Sequence, residues 1–93
     1  MATKTMFPLG QIVITPAAFD LLRQVDISTA SIIQRHVLGD WGDMTDGDKK
    51  ANELAAEMGG RILSAYKLPR GNEVWVTTEP DRSATTIMLP SEQ

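Results

Sequence analysis

The chain contains no cysteine, and this absence excludes several kinds of site at once. Without thiols it can form no disulfide scaffold, no zinc ribbon, no iron–sulfur centre and no cysteine nucleophile. Its longest aliphatic run, Ile12 to Ile14, is far shorter than the roughly 18 residues that a membrane-spanning helix requires. The first residues also lack the apolar segment of a secretory signal, so the sequence predicts a cytoplasmic protein without a membrane partner.

Basic residues are few as well, since 9 Lys and Arg face 12 Asp and Glu and leave a net charge of −3. This balance argues against nucleic acid as a partner, because that binding depends on neutralising phosphates with basic side chains. A weak nucleic-acid-binding alternative requires one sheet face to carry four separated basic residues, which are Arg61, Lys67, Arg70 and Arg82.

Known catalytic motifs are missing too. The chain has no phosphate-binding GxxxxGK loop, no GxGxxG, no GxSxG and no HExxH. With a single histidine and no cysteine, most pairs of nucleophile and base are unavailable. We therefore expect a protein that is not an enzyme and that uses no cofactor.

Local signals predict one mixed α+β domain over residues 7–90, with a disordered N-terminus over residues 1–6 and a tail over residues 91–93. A β-branched strand over residues 11–14 precedes three helices, whose predicted N-caps are Thr15, Ser28 and Thr45. In the third helix the spacing i, i+3, i+4, i+7 predicts an apolar stripe that packs on the core, formed by Ala51, Leu54, Ala55 and Met58.

Three further strands, over residues 62–68, 74–78 and 85–89, are separated by turn-forming segments. Such short connections predict that these strands form a three-stranded antiparallel meander. The predicted order is therefore β-α-α-α-β-β-β. The first strand could join the meander centrally or at its margin, and an exposed edge would favour a homodimer.

The segment HVLGDWGD brings His36, Asp40, Trp41 and Asp43 together around one helix end. Histidine and carboxylates are the usual metal ligands and proton carriers, so one interpretation is a metal or acid–base site. The alternative is structural, because an imidazole at a helix C-terminus interacts well with the helix dipole. We favour the structural interpretation for His36.

Calcium binding is a specific version of the metal hypothesis, because several acidic residues surround Gly47. Aligning Gly47 with the turn glycine of an EF-hand places Gly42 and Met44 at positions that must supply oxygen ligands. Neither residue carries a carboxylate, so the sequence predicts no metal site.

Arg82 lies in the polar turn between the last two predicted strands. Its planar fork of donors could hold a phosphate or carboxylate. Alternatively, Arg82 could pair with Asp40 or Asp43 and clamp the sheet to the helices. Of the two tryptophans, Trp75 is predicted to be buried, whereas Trp41 in its glycine-flanked loop is the better candidate for a partner contact.

The segments FPLGQIV, HVLGDWGD, ILSAY and TEPDRSATTIMLP resemble a family of short bacterial proteins carried on plasmids and other mobile elements. The resemblance covers nearly all of residues 7–90 and is most specific in the GDWGD and DRSxTT blocks. Members carry loose labels as plasmid-related or type I restriction-associated proteins, without an established function. The resemblance implies an accessory protein that acts on host defence or on maintenance of the element, and it implies no catalytic residues.

Two functions of different classes follow. The leading hypothesis is a non-catalytic protein-interaction module that binds another protein through the loop around Trp41 and the acidic start of the third helix. The alternative is a small hydrolase or anion-binding protein. This alternative requires four side chains around one concave pocket, namely those of His36, Asp40, Asp43 and Arg82.

Overall fold

The computed structural model describes residues 5–93, so the disordered N-terminus predicted over residues 1–6 falls largely outside the described part of the chain. The elements in chain order are β1 (Gln11–Ile14), α1 (Pro16–Gln24), α2 (Thr29–Val37), α3 (Asp46–Met58), β2 (Ile62–Lys67), β3 (Glu73–Thr78) and β4 (Ala84–Met88). Between residues 5 and 93 none of the helices has the length and hydrophobicity that crossing a membrane demands.

Each helix begins at the polar N-cap that the sequence identifies. Thr15, Ser28 and Thr45 each accept, through the side-chain oxygen, a hydrogen bond from the backbone N–H three residues later. Pro16 occupies the first turn of α1, where its fixed φ suits the helix and its missing N–H is not needed. The predictions of the three helix starts are confirmed.

The sheet has the strand order β1-β4-β3-β2. The pairs β2/β3 and β3/β4 are antiparallel, whereas β1 lies at the margin and runs parallel to β4. The mixed helix-and-sheet class is confirmed. The last three strands form the antiparallel meander, and β1 takes the marginal one of its two predicted positions. The sheet as a whole is not a simple antiparallel meander, because β1 pairs parallel with β4 through hydrogen bonds from the Gln11 and Thr15 N–H groups to the Ser83 and Ile87 carbonyls.

Helices α1 and α2 cover one face of the sheet. The main core combines Ala18 and Leu22 of α1 with residues of α2 and of the sheet, namely Ile32, Ile33, Tyr66, Val74, Val76 and Ile87. Side chains alternate between the faces of a strand, so the opposite face carries Val13, Leu63, Trp75 and Met88. These four belong to neither hydrophobic cluster. Trp75 is only partly buried there, so its predicted burial is confirmed in part.

Helix α3 lies against the outer edge of β2. The Asn52 side chain donates from Nδ2 to the Leu63 carbonyl (2.6 Å) and accepts at Oδ1 from the Leu63 N–H (3.1 Å). Asn52 is the buried residue of α3, while Leu54 and Met58 of the predicted core stripe are exposed. The inward orientation predicted for the stripe is confirmed for Ala55, which packs against the Phe7, Trp41 and Ile62 cluster. It is wrong for Leu54 and Met58, because the strand edge presents peptide groups that need a polar partner.

The C-terminal residues are attached to the start of α1. Glu92 accepts hydrogen bonds at Oε1 from the Thr15 hydroxyl (2.8 Å) and from the Leu89 N–H (2.9 Å). These contacts hold residues 90–92 as a short 3₁₀ turn, within the segment where the sequence predicts a tail from residue 91.

Candidate functional site

His36 lies in the interior, with 0% of its surface exposed. Its Nδ1 is 2.6 Å from Ser64 Oγ on β2, and its Nε2 is 2.9 Å from Thr78 Oγ1 on β3. The Phe7 and Trp41 rings contact the imidazole edge-on, at centroid distances of 5.2 and 6.1 Å. The helix end therefore directs His36 onto the sheet rather than toward solvent.

The hydrogen bonds around His36 run in one direction. Thr85 Oγ1 donates to the Leu9 carbonyl (2.8 Å), and Thr78 Oγ1 lies 2.7 Å from Thr85 Oγ1. Because a carbonyl only accepts, the Thr85 hydroxyl donates its one hydrogen bond to Leu9. Thr78 must therefore donate to Thr85. His36 must then donate to Thr78 from Nε2, which leaves Nδ1 to accept from Ser64. The network therefore fixes a proton on Nε2, and in the neutral imidazole Nδ1 accepts from Ser64.

Burial lowers the pKa of His36 to about 4, because the charged form loses its hydration in the interior. The Ser64–His36 contact has the composition of a nucleophile and its base. Both side chains are fully buried, however, so a substrate does not reach either atom. The pair joins α2 to the sheet, so His36 has a structural role. That role is a buried hydrogen-bond contact of a neutral imidazole, and the predicted interaction of a charged imidazole with the helix dipole is wrong.

Asp40 and Asp43 form ion pairs on the surface. Arg35 Nε lies 2.7 Å from Asp40 Oδ2, and Lys67 Nζ lies 2.9 Å from Asp43 Oδ2. The Arg35 hydrogen bond lowers the pKa of Asp40. The two pairs line a depression of about 260 Å³, where two positive and two negative groups balance. This depression therefore attracts neither cations nor anions strongly.

Trp41 is buried, with 2% of its surface exposed, so its predicted role as an exposed partner contact is wrong. Its ring stacks on Phe7 at 6.2 Å, and the loop pairs with the edge of β2 through Ala65 N–H to Trp41 O (3.1 Å) and Asp43 N–H to Ala65 O (2.7 Å). Gly42 has φ 76°, and a Cβ there would lie 2.1 Å from Ala65 O. The second glycine of GDWGD thus permits this close approach.

Arg82 acts as a clamp, but not through the predicted carboxylates. It donates from Nη1 to the Gly60 carbonyl (2.6 Å) and from Nη2 to the Ala55 carbonyl (2.7 Å). These carbonyls lie at the C-terminal end of α3, where a cation is favourable. The predicted pairing with Asp40 or Asp43 is wrong, since Lys67 and Arg35 occupy those positions.

The structure does not bring together the five predicted site residues, which are His36, Asp40, Trp41, Asp43 and Arg82. The Phe7 ring lies between two of them, 5.2 Å from the imidazole of His36 and 5.6 Å from the guanidinium of Arg82. Within residues 5–93 no three His, Asp or Glu side chains are grouped to hold a metal. The GDWGD and DRSxTT blocks instead hold the edge of β2, the buried network and the end of α3.

An exposed surface that the sequence interpretation assigned to the core lies on α3. Leu54 is 56% exposed and Met58 76% exposed. Met6, Leu54 and three charged residues, which are Lys50, Glu53 and Glu57, line a depression of about 420 Å³. We call Met6, Leu54 and Met58 the α3 outer surface. Asn52 on the opposite side of the helix was the available signal for this orientation.

The α3 outer surface is the candidate site with exposed apolar anchors, whereas the predicted site residues serve the fold. Comparisons of the chain with protein-family models, with curated proteins and with solved structures found no match.

Proposed function

We propose that this protein is a non-catalytic protein-interaction module that binds a partner protein through the α3 outer surface. The observation that carries the proposal is the exposure of Leu54 and Met58, the two most exposed large apolar side chains in the described part of the chain. Residues at i and i+4 lie on one side of a helix. Helices that dock into a groove present their anchors with this spacing.

The opposite side of α3 is fixed to the rest of the molecule. Asn52 binds the edge of β2, and Arg82 binds the carbonyls of Ala55 and Gly60 at the end of the helix. The anchors are therefore presented by a helix whose position is determined before binding. Such preorganisation lowers the entropy lost on association.

The charge of α3 indicates the chemistry of the partner. The helix contains four acidic residues and two lysines. Glu53 and Glu57 lie beside Leu54 in the depression. We propose a partner with an apolar groove rimmed by Lys or Arg, because opposite potentials favour association and specificity. Full burial of each apolar anchor contributes about 1.5–3 kcal/mol.

The resemblance to proteins of mobile elements supplies the proposed setting, which is a component of host defence or of the element's own maintenance as the partner. The small-hydrolase or anion-binding alternative has no comparable support. His36 is buried and Arg82 donates to backbone carbonyls, so neither presents its polar atoms to a bound molecule.

The proposal is tested by affinity capture with quantitative mass spectrometry, followed by titration of the purified partner. The double variant Leu54→Ser/Met58→Ser is compared with Phe19→Ser, which removes a half-exposed apolar side chain from α1. We expect the double variant to bind at least about tenfold more weakly, a loss of about 1.4 kcal/mol or more, and Phe19→Ser to bind as the wild type does. Equal binding by a correctly folded double variant would contradict the α3 outer surface as the site.

A further inference from the structure

The two edges of the sheet differ in whether other residues cover them. The edge of β2 is covered by Asn52 and by the loop from Trp41 to Asp43. The edge of β1 has no comparable cover. Among the described residues, no backbone hydrogen bond outside the β1/β4 ladder reaches Ile12 or Ile14. The molecule therefore has one open sheet edge.

The peptide groups exposed at this edge follow from the parallel ladder. Gln11 N–H donates to Ser83 O (3.0 Å) and Thr15 N–H donates to Ile87 O (3.0 Å). Alternate residues of a strand direct their N–H and C=O groups to opposite sides. The peptide groups of Ile12 and Ile14 consequently point away from β4, where two donors and two acceptors can pair with another strand.

Apart from its short length, this edge lacks the features that normally prevent strand pairing. Native edge strands are usually blunted by charge, proline or a bulge. Residues 5–19 contain no charged side chain, and within β1 there is no proline. Ile12 is 49% exposed and Val13 41% exposed. β-branched side chains on an uncharged strand favour addition of a further strand.

We propose that β1 pairs antiparallel with β1 of a second copy of this chain, about a two-fold axis at Val13. In this register Ile12 of each copy faces Ile14 of the other, and their outward peptide groups form four hydrogen bonds. The two Val13 side chains face each other across the axis. The strand is thus complementary to itself, which is the property that a symmetric interface requires.

The covered edge of β2 sets the size of the assembly. Pairing of two β1 strands gives a continuous eight-stranded sheet, and each end of that sheet is a β2 edge already occupied by Asn52 and the Trp41 loop. No open edge remains, so assembly stops at two copies. Each β1 has only four residues, and interfaces smaller than roughly 1,200 Å² are typically transient. We therefore expect a reversible dimer with a dissociation constant in the micromolar range.

The test is sedimentation equilibrium from about 0.5 μM to about 500 μM, a range that extends below and above micromolar dissociation constants. The wild type should rise from the 10.2 kDa of one chain to twice that mass. Val13→Lys should remain monomeric over this range, because it places two like charges across the axis, whereas Val13→Thr should dimerise. An equimolar mixture of Val13→Lys and Val13→Glu should recover the dimer, since the two charges then attract.

A wild type that stays monomeric over the whole range would overturn the proposal, as would a dimer that Val13→Lys leaves intact. A monomer that instead binds an extended peptide along β1 would assign the edge to another partner and also overturn it. The Leu54→Ser/Met58→Ser variant should dimerise normally. Loss of the dimer in that variant would place the contact on α3 and reject β1, so the two proposals fail by different results.

Discussion

The buried histidine network shows how one acceptor can order a chain of hydroxyl groups. The Leu9 carbonyl accepts the hydrogen bond of the Thr85 hydroxyl, so that hydroxyl can only accept from Thr78. The Thr78 hydroxyl in turn can only accept from His36. His36 consequently carries a proton on Nε2, and burial keeps the imidazole neutral. A substitution within the chain leaves buried neighbours without partners, which is more costly than losing a single exposed hydrogen bond.

The pKa of His36 predicts a loss of stability in mild acid. The pKa is about 4 in the folded protein and 6.5 when the side chain is unperturbed, so between these values the unfolded chain binds more protons. The contribution of neutral burial is complete above pH 6.5 and is lost as the pH falls toward 4. The difference between these two pKa values corresponds to about 3 kcal/mol in the free energy of unfolding. Urea midpoints measured from pH 7 to pH 4 check this.

The control for that prediction is His36→Asn, which removes the titrating group. It should be less stable than the wild type at pH 7, because the network is altered. Its stability should nevertheless change less between pH 6.5 and pH 4, since the carboxylates are common to both proteins. Identical pH slopes in the two proteins would show that His36 is not responsible for the acid sensitivity.

We expect substitution of the buried Trp41 by Phe and by Ala to reduce stability by different amounts. Its Nε1 has no hydrogen-bond partner among the described residues. Trp41→Phe removes that unsatisfied donor and keeps the stacking on Phe7, so we expect a loss below about 1.5 kcal/mol. Trp41→Ala leaves a large cavity and should cost about 3–5 kcal/mol. Chemical unfolding of both variants checks the comparison, and equal losses would contradict it.

At the scale of elements, α3 is an amphipathic helix whose polar residue faces inward. Asn52 replaces the strand that would otherwise extend the sheet at Leu63, because its amide offers the donor and the acceptor of a peptide group. The apolar residues on the other side are then free to contact a partner. The orientation of this helix is therefore set by the Asn52 amide together with the small residues Ala55 and Ala56, which pack against the core, and not by Leu54 and Met58.

Asn52→Ala should destabilise the protein by about 2–3 kcal/mol, because both peptide groups of Leu63 lose their partner in a partly buried site. The matched control is Glu53→Ala, which alters an exposed side chain of the same helix and should change stability by less than about 0.5 kcal/mol. Thermal or urea unfolding measures both. Similar effects of the two substitutions would mean that Asn52 does not hold α3 on β2.

The features that depend on neighbours along the chain are predictable from the sequence. The caps at Thr15, Ser28 and Thr45 follow from residue types at fixed spacing, and the structure confirms them. Features that depend on distant residues were not predictable in this way. The pairing of β1 with β4 and the burial of Trp41 both depend on segments far along the chain, and an apolar stripe does not specify which surface it faces.

At the scale of the whole molecule, Arg82 connects the turn between β3 and β4 to the end of α3. Helix α3 has no basic residue in its last turn, so Arg82 supplies the cation that its C-terminal carbonyls favour. The connection requires a backbone φ of 61° at Arg82, a region that non-glycine residues rarely adopt. The two hydrogen bonds to Ala55 and Gly60 offset the strain of this conformation.

The backbone strain and the hydrogen bonds at Arg82 can be separated by three substitutions at this position. Arg82→Ala loses the donors and keeps the backbone strain, whereas Arg82→Gly loses the donors and relieves the strain, so the glycine variant should be the more stable by about 1 kcal/mol. Arg82→Lys has a single ammonium for two separated carbonyls and should lie between the wild type and Arg82→Ala. Urea unfolding gives the order of the variants.

Hydrogen exchange distinguishes a local effect of Arg82 from a general loss of stability. The Gly59 amide donates to the same Ala55 carbonyl that accepts from Arg82. In Arg82→Gly this amide should exchange faster by a larger factor than amides in the centre of β3, because the end of α3 opens without unfolding of the sheet. Equal acceleration at both places would mean that Arg82 stabilises the molecule as a unit. The preorganisation of the α3 outer surface would then not depend on this clamp.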